Sequence, residues 1–459
     1  MQVKDFAQYM VPGKKGHLIG IGGVSMAPLA MVLAGKGLEI RGSDMNDSPA
    51  LDTLRESGIK VFVGHKAENA DGADFVVRTA AAHDDNPEVE RARKLGIPVF
   101  ERSQAWGAIS EQFGCSVCVA GTHGKTTTTA MVTHIFMKAG RDPTVMIGGT
   151  LALLGSGYRV GEGDTVILES CEYYNSFHNF FATTAVILNV DNDHLDFFGT
   201  VDNIRASFRT FAGKVPDSGV VVANADDEGC RTALKGLDRN IVTFGMSPQA
   251  DMRAENLVEG KYPSFDAVFK GEKYAHIELN VSGRHNVYNA LAACTAAYLN
   301  GIDGRTAEAG LAEFKGTGRR AEFKGSFGGA DVYDDYAHHP KELQALLDAV
   351  DTMGYKRVLC VFQPHTYSRT KTHFDDFVTQ LKRPDRVYLA EIYAAREKNT
   401  DGISAKQLAD KVPGAFFSAD FGEPAEKVRS EARQGDIVLT VGAGDVYKIG
   451  DMLLTGERQ

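Results

Sequence analysis

The residues best suited to chemistry are Ala120-Gly-Thr-His-Gly-Lys-Thr-Thr-Thr-Thr129, which follow an apolar, strand-like run and precede a helix-like one. Glycines at 121 and 124 let backbone N–H groups wrap a phosphate, and a helix N-terminus adds partial positive charge. Lys125 would reach the terminal phosphates of a nucleotide, and the Thr126 hydroxyl would bind Mg²⁺. Gly121, Thr122, His123, Gly124 and Thr127 complete the loop. An ordinary strand–turn–helix needs neither the lysine nor the four threonines after it. The first glycine of the usual phosphate-loop pattern falls here at Val119, so the loop is shorter than that of a generic kinase or GTPase.

Two acidic clusters follow at other strand ends. Glu169-Ser-Cys-Glu172 closes the apolar run Val166-Ile-Leu168, where a carboxylate faces the ligand crevice of a wound sheet. Mg²⁺ keeps several waters and takes only one or two protein oxygens, so Glu169 alone suffices as its protein carboxylate. Simple solvation of a strand end is the other reading, and it is the stronger one for Glu172. Asn189-Val-Asp-Asn-Asp193-His194 suits a second metal position through His194, or a helix cap; Asp193 and Asp196 could equally cap the next helix. The glycine cluster Gly20-Ile-Gly22-Gly23-Val24-Ser25 resembles a dinucleotide fingerprint, with Asp44 about where a ribose-binding residue would fall. Ser25 occupies the third glycine position and breaks the motif. A nicotinamide cofactor, another nucleotide and a structural turn all stay open on these residues alone. Asp334-Asp335-Tyr336-Ala-His338-His339 and Gln363-Pro-His365-Thr-Tyr-Ser-Arg369 each follow an apolar strand and point to a cleft. Arg319-Arg320, after the glycines of Gly316-Thr-Gly318, could neutralise a transferring phosphate or form a solvated basic pair.

The elements that must position these groups alternate strand and helix, which indicates wound parallel sheets. Strands are expected at His17–Gly20, Glu39–Arg41 and Asp74–Val77, then at Val117–Ala120, Thr165–Leu168, Ala185–Leu188, Val220–Val222 and Asn240–Phe244. A strand-rich stretch, Lys270 to Val281, precedes helices near Asn286–Leu299 and Thr306–Phe314. A third alternating segment begins after the glycine hinge. The expected fold is α/β with three domains: a Rossmann-like domain over 1–113, a phosphate-loop mononucleotide-binding domain over 114–317 and a second Rossmann-like domain over 318–459.

The 459 residues allow about three domains. A formal charge of −10 with interspersed signs argues against nucleic acid or an anionic membrane as the main partner. The six cysteines include one C-x-x-C pair, Cys115 and Cys118, with no second pair at zinc-ribbon distance, which favours buried reduced thiols. Met1–Met10 is too polar for a secretory signal, and no apolar run reaches the ~18 residues needed to span a bilayer. A cytoplasmic protein, monomeric or weakly dimeric, is expected.

Taken together, GIGGVSM, GSD, DNPE, AGTHGKTTTT, the glutamate after the central strand, DNDH, GRHNVYNALAA, GRRAEF, DDYAHHPKE, QPHTYSRT and GAGDVY resemble the Mur ligase family in order over nearly the whole chain. The resemblance implies ATP-driven ligation of L-alanine to the carboxylate of UDP-N-acetylmuramate, with no nucleic acid or membrane partner. It implies that Lys125 contacts the β- and γ-phosphates, that Thr126 and Glu169 hold a first Mg²⁺ and that His194 serves a second. His285 and Asn286 would line the ATP site, with Arg320 near the phosphates and Asp335 near the ribose. Tyr336, His338 and Arg369 would face the amino-acid pocket, and Gly20 to Ser25 would bind the UDP pyrophosphate, in place of NAD.

Three departures stand out. Cys171 replaces a frequent aspartate, Thr366 replaces a frequent arginine, and Asn203–Thr210 lacks the lysine that sister ligases for later residues carbamylate. The nearest rival is a murein-recycling ligase adding a tripeptide to the same acceptor. A nicotinamide oxidoreductase leaves the phosphate loop unexplained, and Lys125, Glu169 and His194 speak against a non-catalytic nucleotide-binding regulator.

Overall fold

The computed structural model describes residues 3–395, 397–400 and 402–456. Three sheets organise them. In the first, five parallel strands run in the order Lys60–Val63, Glu39–Asp44, Lys15–Ile19, Phe75–Arg78 and Val99–Glu101. The strand order reverses between Lys15–Ile19 and Phe75–Arg78, so the Gly20 turn leaves the sheet at its switch point, where wound sheets bind ligands.

The middle sheet is built on Cys115–Ala120, whose residues are nearly all buried. A strand covered on both faces reads as a continuous apolar run, and each buried valine or isoleucine contributes about 1.5–3 kcal/mol. This strand pairs in parallel with Thr165–Glu169 on one side and Thr184–Ile187 on the other. Val220–Asn224 and Ile241–Gly245 continue the sheet beyond Thr184–Ile187, followed by Met252–Val258, Ser264–Phe269 and Glu272–Glu278. Thr144–Leu151 and the antiparallel Ser156–Arg159 finish the other edge. The phosphate loop thus emerges between two neighbours whose C-terminal ends carry Glu169 and Asn189.

The third sheet has the order Glu322–Phe327, Ala330–Asp335, Asp436–Val441, Arg357–Phe362, Arg386–Leu389 and Phe416–Phe417; only its first pair is antiparallel. Asp335, Gln363 and Gly442 stand at or just past the C-terminal ends of its three central parallel strands.

By packing, the chain divides into two compact units, one of residues 1–255, 267–276 and 288–311 and one of 256–266, 277–287 and 312–459. All six cysteines are free thiols. Among the described residues no helix is long and apolar enough to cross a membrane.

Candidate active site

The phosphate loop needs two left-handed glycines. Gly121 has φ +147° and Gly124 has φ +83° at the N-cap of the Lys125–Lys138 helix. A Cβ at these positions would meet Leu188 Cβ at 2.9 Å and Asn289 Oδ1 at 2.6 Å, so only glycine fits both the torsion and the space. Asn189 clamps the loop from the adjacent strand: its Oδ1 accepts from His123 N at 2.7 Å and its Nδ2 donates to His123 O at 3.0 Å. Thr122 N donates to Asn189 O, and Asp191 N donates to Thr122 Oγ1. Asn289, on the Arg284–Leu299 helix, accepts from Thr128 Oγ1 at 3.1 Å.

The catalytic candidates of the first unit converge here. Thr126 Oγ1 donates to Glu169 Oε1 at 2.9 Å, and Gly148 N donates to Glu169 Oε2 at 2.5 Å. Lys125 Nζ curls back to the carbonyls of Gly121 and Thr122, and lies 3.0 and 3.3 Å from the two oxygens of Glu172. Burial works against the Lys125 ammonium, but Glu172, ahead of Cys171 and Glu169, overrides it and holds the group above its ordinary value. Glu172 is 2 % exposed, so the solvated strand end favoured from sequence is replaced by a buried counter-ion. His194 completes the cluster at φ +54°, its ring stacked on Tyr173 and its Nε2 3.9 Å from Glu172 Oε1. Asp193 accepts from His194 N at 2.8 Å; the side chain of Asp196 lies outside the described residues.

Among the described residues no group of three or more histidine, cysteine or acidic side chains could cage a metal. The donor set fits magnesium nonetheless. One hydroxyl and one carboxylate, both hard oxygens and already adjacent, are what a cation shared with phosphates and water requires.

The Gly20–Ser25 turn has its own bracing. Gly20 has φ +78° and Asp44 Oδ2 accepts from Gly22 N at 2.9 Å, so one oxygen of Asp44 shapes the turn.

In the second unit, the arginine pair divides its work. Arg319 is spent on structure: its Nε bonds Asp334 at 2.9 Å, its Nη2 donates to Gly442 O, and it lies over the rings of Tyr336 and Tyr447. Arg320 lies over the Tyr336 ring and reaches Glu342 only at 4.0 Å. Asp335 accepts from Ala321 N and Ala337 N at 2.6 and 2.7 Å. Burial, only partly offset by Arg320 and those amides, pushes it up to about 6. His338 Nδ1 is 2.9 Å from Tyr336 O and 3.3 Å from Glu342 Oε2, and its ring meets the edge of His365. Arg369 Nη1 lies 3.1 Å from His365 Nδ1. Thr366 caps the short Tyr367–Thr372 helix at φ +64°, a strained torsion for a β-branched residue, of the order of 1–3 kcal/mol. His285 and Asn286 begin the Arg284–Leu299 helix, where Asn286 Nδ2 donates to Ser282 O at 2.7 Å.

Four supporting residues were not singled out as site residues from sequence: Glu172 as the lysine's partner, Asn189, Asn289 and Glu342. Each lies inside a motif already quoted or beside a predicted ligand, which is the signal that could have found them.

A phosphate loop at the switch point of the middle of three wound sheets, with a hydroxyl–carboxylate pair beside its lysine, defines a phosphate-loop enzyme of the α/β class. Three family models match: the Mur ligase family catalytic domain over residues 15–114, the Mur ligase middle domain over 119–297, and the Mur ligase glutamate ligase domain over 319–444. The chain belongs to the Mur ligase family. It is 44 % identical over 447 residues to the UDP-N-acetylmuramate–L-alanine ligase of Caldanaerobacter subterraneus subsp. tengcongensis, covering 96 % of this chain and 97 % of that one. The enzyme of the same name from Clostridium acetobutylicum is 43 % identical, with 96 % and 98 % covered. The crystal structure of UDP-N-acetylmuramate–alanine ligase from Thermotoga maritima superposes with a TM-score of 0.81 at 29 % identity, over 96 % of this chain and 98 % of that one. A murein peptide ligase from Psychrobacter arcticus shares the fold, with a TM-score of 0.73 at 24 % identity over 96 % and 98 %.

Proposed function

We propose that this chain is an ATP-dependent ligase that joins L-alanine to the carboxylate of UDP-N-acetylmuramate, in the cytoplasm, as a step in building peptidoglycan precursors. The observation that carries the reaction class is the single cluster of Lys125, Thr126, Glu169 and His194 at the ends of adjacent strands. The substrates are supported by identity of 41–44 % to L-alanine ligases over nearly the full chain.

A carboxylate resists an amine because oxide is a hopeless leaving group. Transfer of the γ-phosphoryl from ATP forms a C–O–P acyl phosphate and releases ADP. The neutral amine of L-alanine then attacks the acyl carbon, the tetrahedral intermediate expels inorganic phosphate, and the amine loses a proton as the amide forms. In this reading the amides of the 121–124 loop and Lys125 cradle the β- and γ-phosphates, with Gly121, Thr122, His123, Gly124 and Thr127 as the loop and His285, Asn286 and Asp335 around the rest of the nucleotide. Lys125 and Arg320 stabilise charge on the transferring group by fixed electrostatics. Thr126 and Glu169 would hold one Mg²⁺ and His194 would serve a second; bound there, magnesium supplies charge neutralisation on the phosphates. Tyr336, His338 and Arg369 orient L-alanine, and Gly20 to Ser25 with Asp44 seat the UDP moiety. The three domains are taken as 1–113, 114–317 and 318–459.

The test is phosphate release in the presence of ATP, Mg²⁺, UDP-N-acetylmuramate and individual amino acids or the murein tripeptide. L-Alanine should give the highest kcat/KM. Release driven by tripeptide and not by alanine would transfer the chain to the recycling branch.

A further inference from the structure

The Gly20–Ser25 turn has an unusual electrostatic neighbour. Arg102 opens the Arg102–Ser110 helix, whose first turn holds no acidic residue. A cation there opposes the helix dipole. Its guanidinium crosses to Ser25, bonding Oγ through Nη1. Ser25 is the N-cap of the Met26–Gly35 helix, yet its side chain caps no backbone amide of that helix. Its carbonyl is held by Trp106 Nε1 at 3.1 Å. The hydroxyl and carbonyl of Ser25 are therefore both fixed from the Arg102–Ser110 helix.

The turn itself is short of acceptors. Gly20, Ile21, Gly22 and Gly23 donate to Ser43 O, Ser43 O, Asp44 Oδ2 and Gly20 O. Among the described residues, the amides of Val24 and Ser25 have no hydrogen-bond acceptor. Arg102 likewise forms no ion pair among them. The ionisable groups that bear on its charge are Cys171, a thiol, and Glu101, which Arg78 already engages at 2.7 Å. Burial consequently drags the guanidinium below its ordinary value. The N-terminus of the Met26–Gly35 helix, two amides without a protein acceptor and a guanidinium without an ion-pair partner meet at one place, beside a second helix N-terminus that Glu101 caps. The turn is open to solvent at Val24, and these donors are placed to take an anion from it.

We propose that Arg102 grips the diphosphate of the nucleotide-sugar substrate, completing the anion cradle begun by the amides of Val24 and Ser25. This rests on the UDP-sugar reading above. A guanidinium presents a planar fork that can bond two oxygens of one phosphate or bridge two phosphates, which a lysine cannot reproduce.

The test is calorimetric titration of the full chain with UDP, with emission of Trp106, its one tryptophan, as a second reporter. Arg102→Ala and Arg102→Met should raise the Kd for UDP on the order of 10- to 100-fold, with Arg102→Lys between them and the parent. In the assay with all substrates, KM for UDP-N-acetylmuramate should rise by a similar factor while KM for ATP stays within about twofold. Without ligand, Arg102→Met should melt no lower than the parent, because it removes a half-buried guanidinium that has no ion-pair partner and keeps the stem packing. Unchanged UDP affinity in Arg102→Ala would overturn the proposal. So would a lowered melting temperature in Arg102→Met together with equal rises in both KM values, which mark a structural role. A parent chain that ignores UDP but still releases phosphate with ATP and L-alanine would instead overturn the UDP-sugar reading beneath it.

Discussion

At the scale of single residues, the structure distinguishes side chains that look equivalent in sequence. Glu169 and Glu172 both follow the same strand, yet one bonds Thr126 and the other Lys125. Arg319 and Arg320 are neighbours, yet Asp334 and Gly442 consume the first and leave the second over Tyr336. Replacing Lys125 by alanine should lower kcat at least ~100-fold, the scale of losing one electrostatic donor to a transferring charge; a steady-state assay at saturating ATP measures it. Asp335 makes a second prediction. Its carboxyl is raised from 3.8 to about 6, so between those values the folded protein keeps a proton that the unfolded chain has released. That contribution to stability is fully present below pH 3.8 and is lost as pH rises through about 6, a loss of about 3 kcal/mol. Denaturant midpoints of the parent should therefore fall relative to Asp335→Asn between pH 4 and 7. Parallel curves would show that the site is wetter than it looks.

At the scale of elements, the phosphate loop is only as good as the strands beside it. Asn189 sits past the end of Thr184–Ile187 and holds both polar groups of the His123 peptide. Asn189→Ala should raise KM for ATP about thirtyfold, since two hydrogen bonds at roughly 1 kcal/mol each set the loop's shape, with kcat falling less. Equal losses in kcat and kcat/KM would mean that the clamp acts on the transition state. Much of this architecture was legible in the sequence. The buried strands, the Lys125 helix and the carboxylates at strand ends follow from apolar runs bounded by glycine and from the rule that wound sheets bind at their C-terminal edge. The edge strands Lys60–Val63, Ser156–Arg159 and Glu322–Phe327 were not legible, because half-exposed strands carry weak patterns. The lysine's partner was hidden for a different reason: the pairing joins residues 47 apart, and only the meeting of two strand ends brings them together.

At the scale of the molecule, the three sheets expected from alternation are present, while packing groups the chain into two units. A ligase that needs three substrates should release phosphate only when all three are supplied, and chelation by EDTA should abolish release, with recovery on adding Mg²⁺. Persistent turnover after exhaustive chelation would contradict the hydroxyl–carboxylate site as a magnesium position.

The Lys125–Glu172 pair also bears on how nucleotide enters. The ammonium already has a carboxylate 3.0 Å away, so in the proposed site incoming phosphates would exchange one anion for another and would not simply fill a vacancy. The gain is a difference between two similar attractions, and the displaced carboxylate is left buried and bare. A divalent ion delivered with the nucleotide would relieve that bare charge, so metal and nucleotide should each tighten the other's hold, and the loop should discriminate strongly against metal-free ATP.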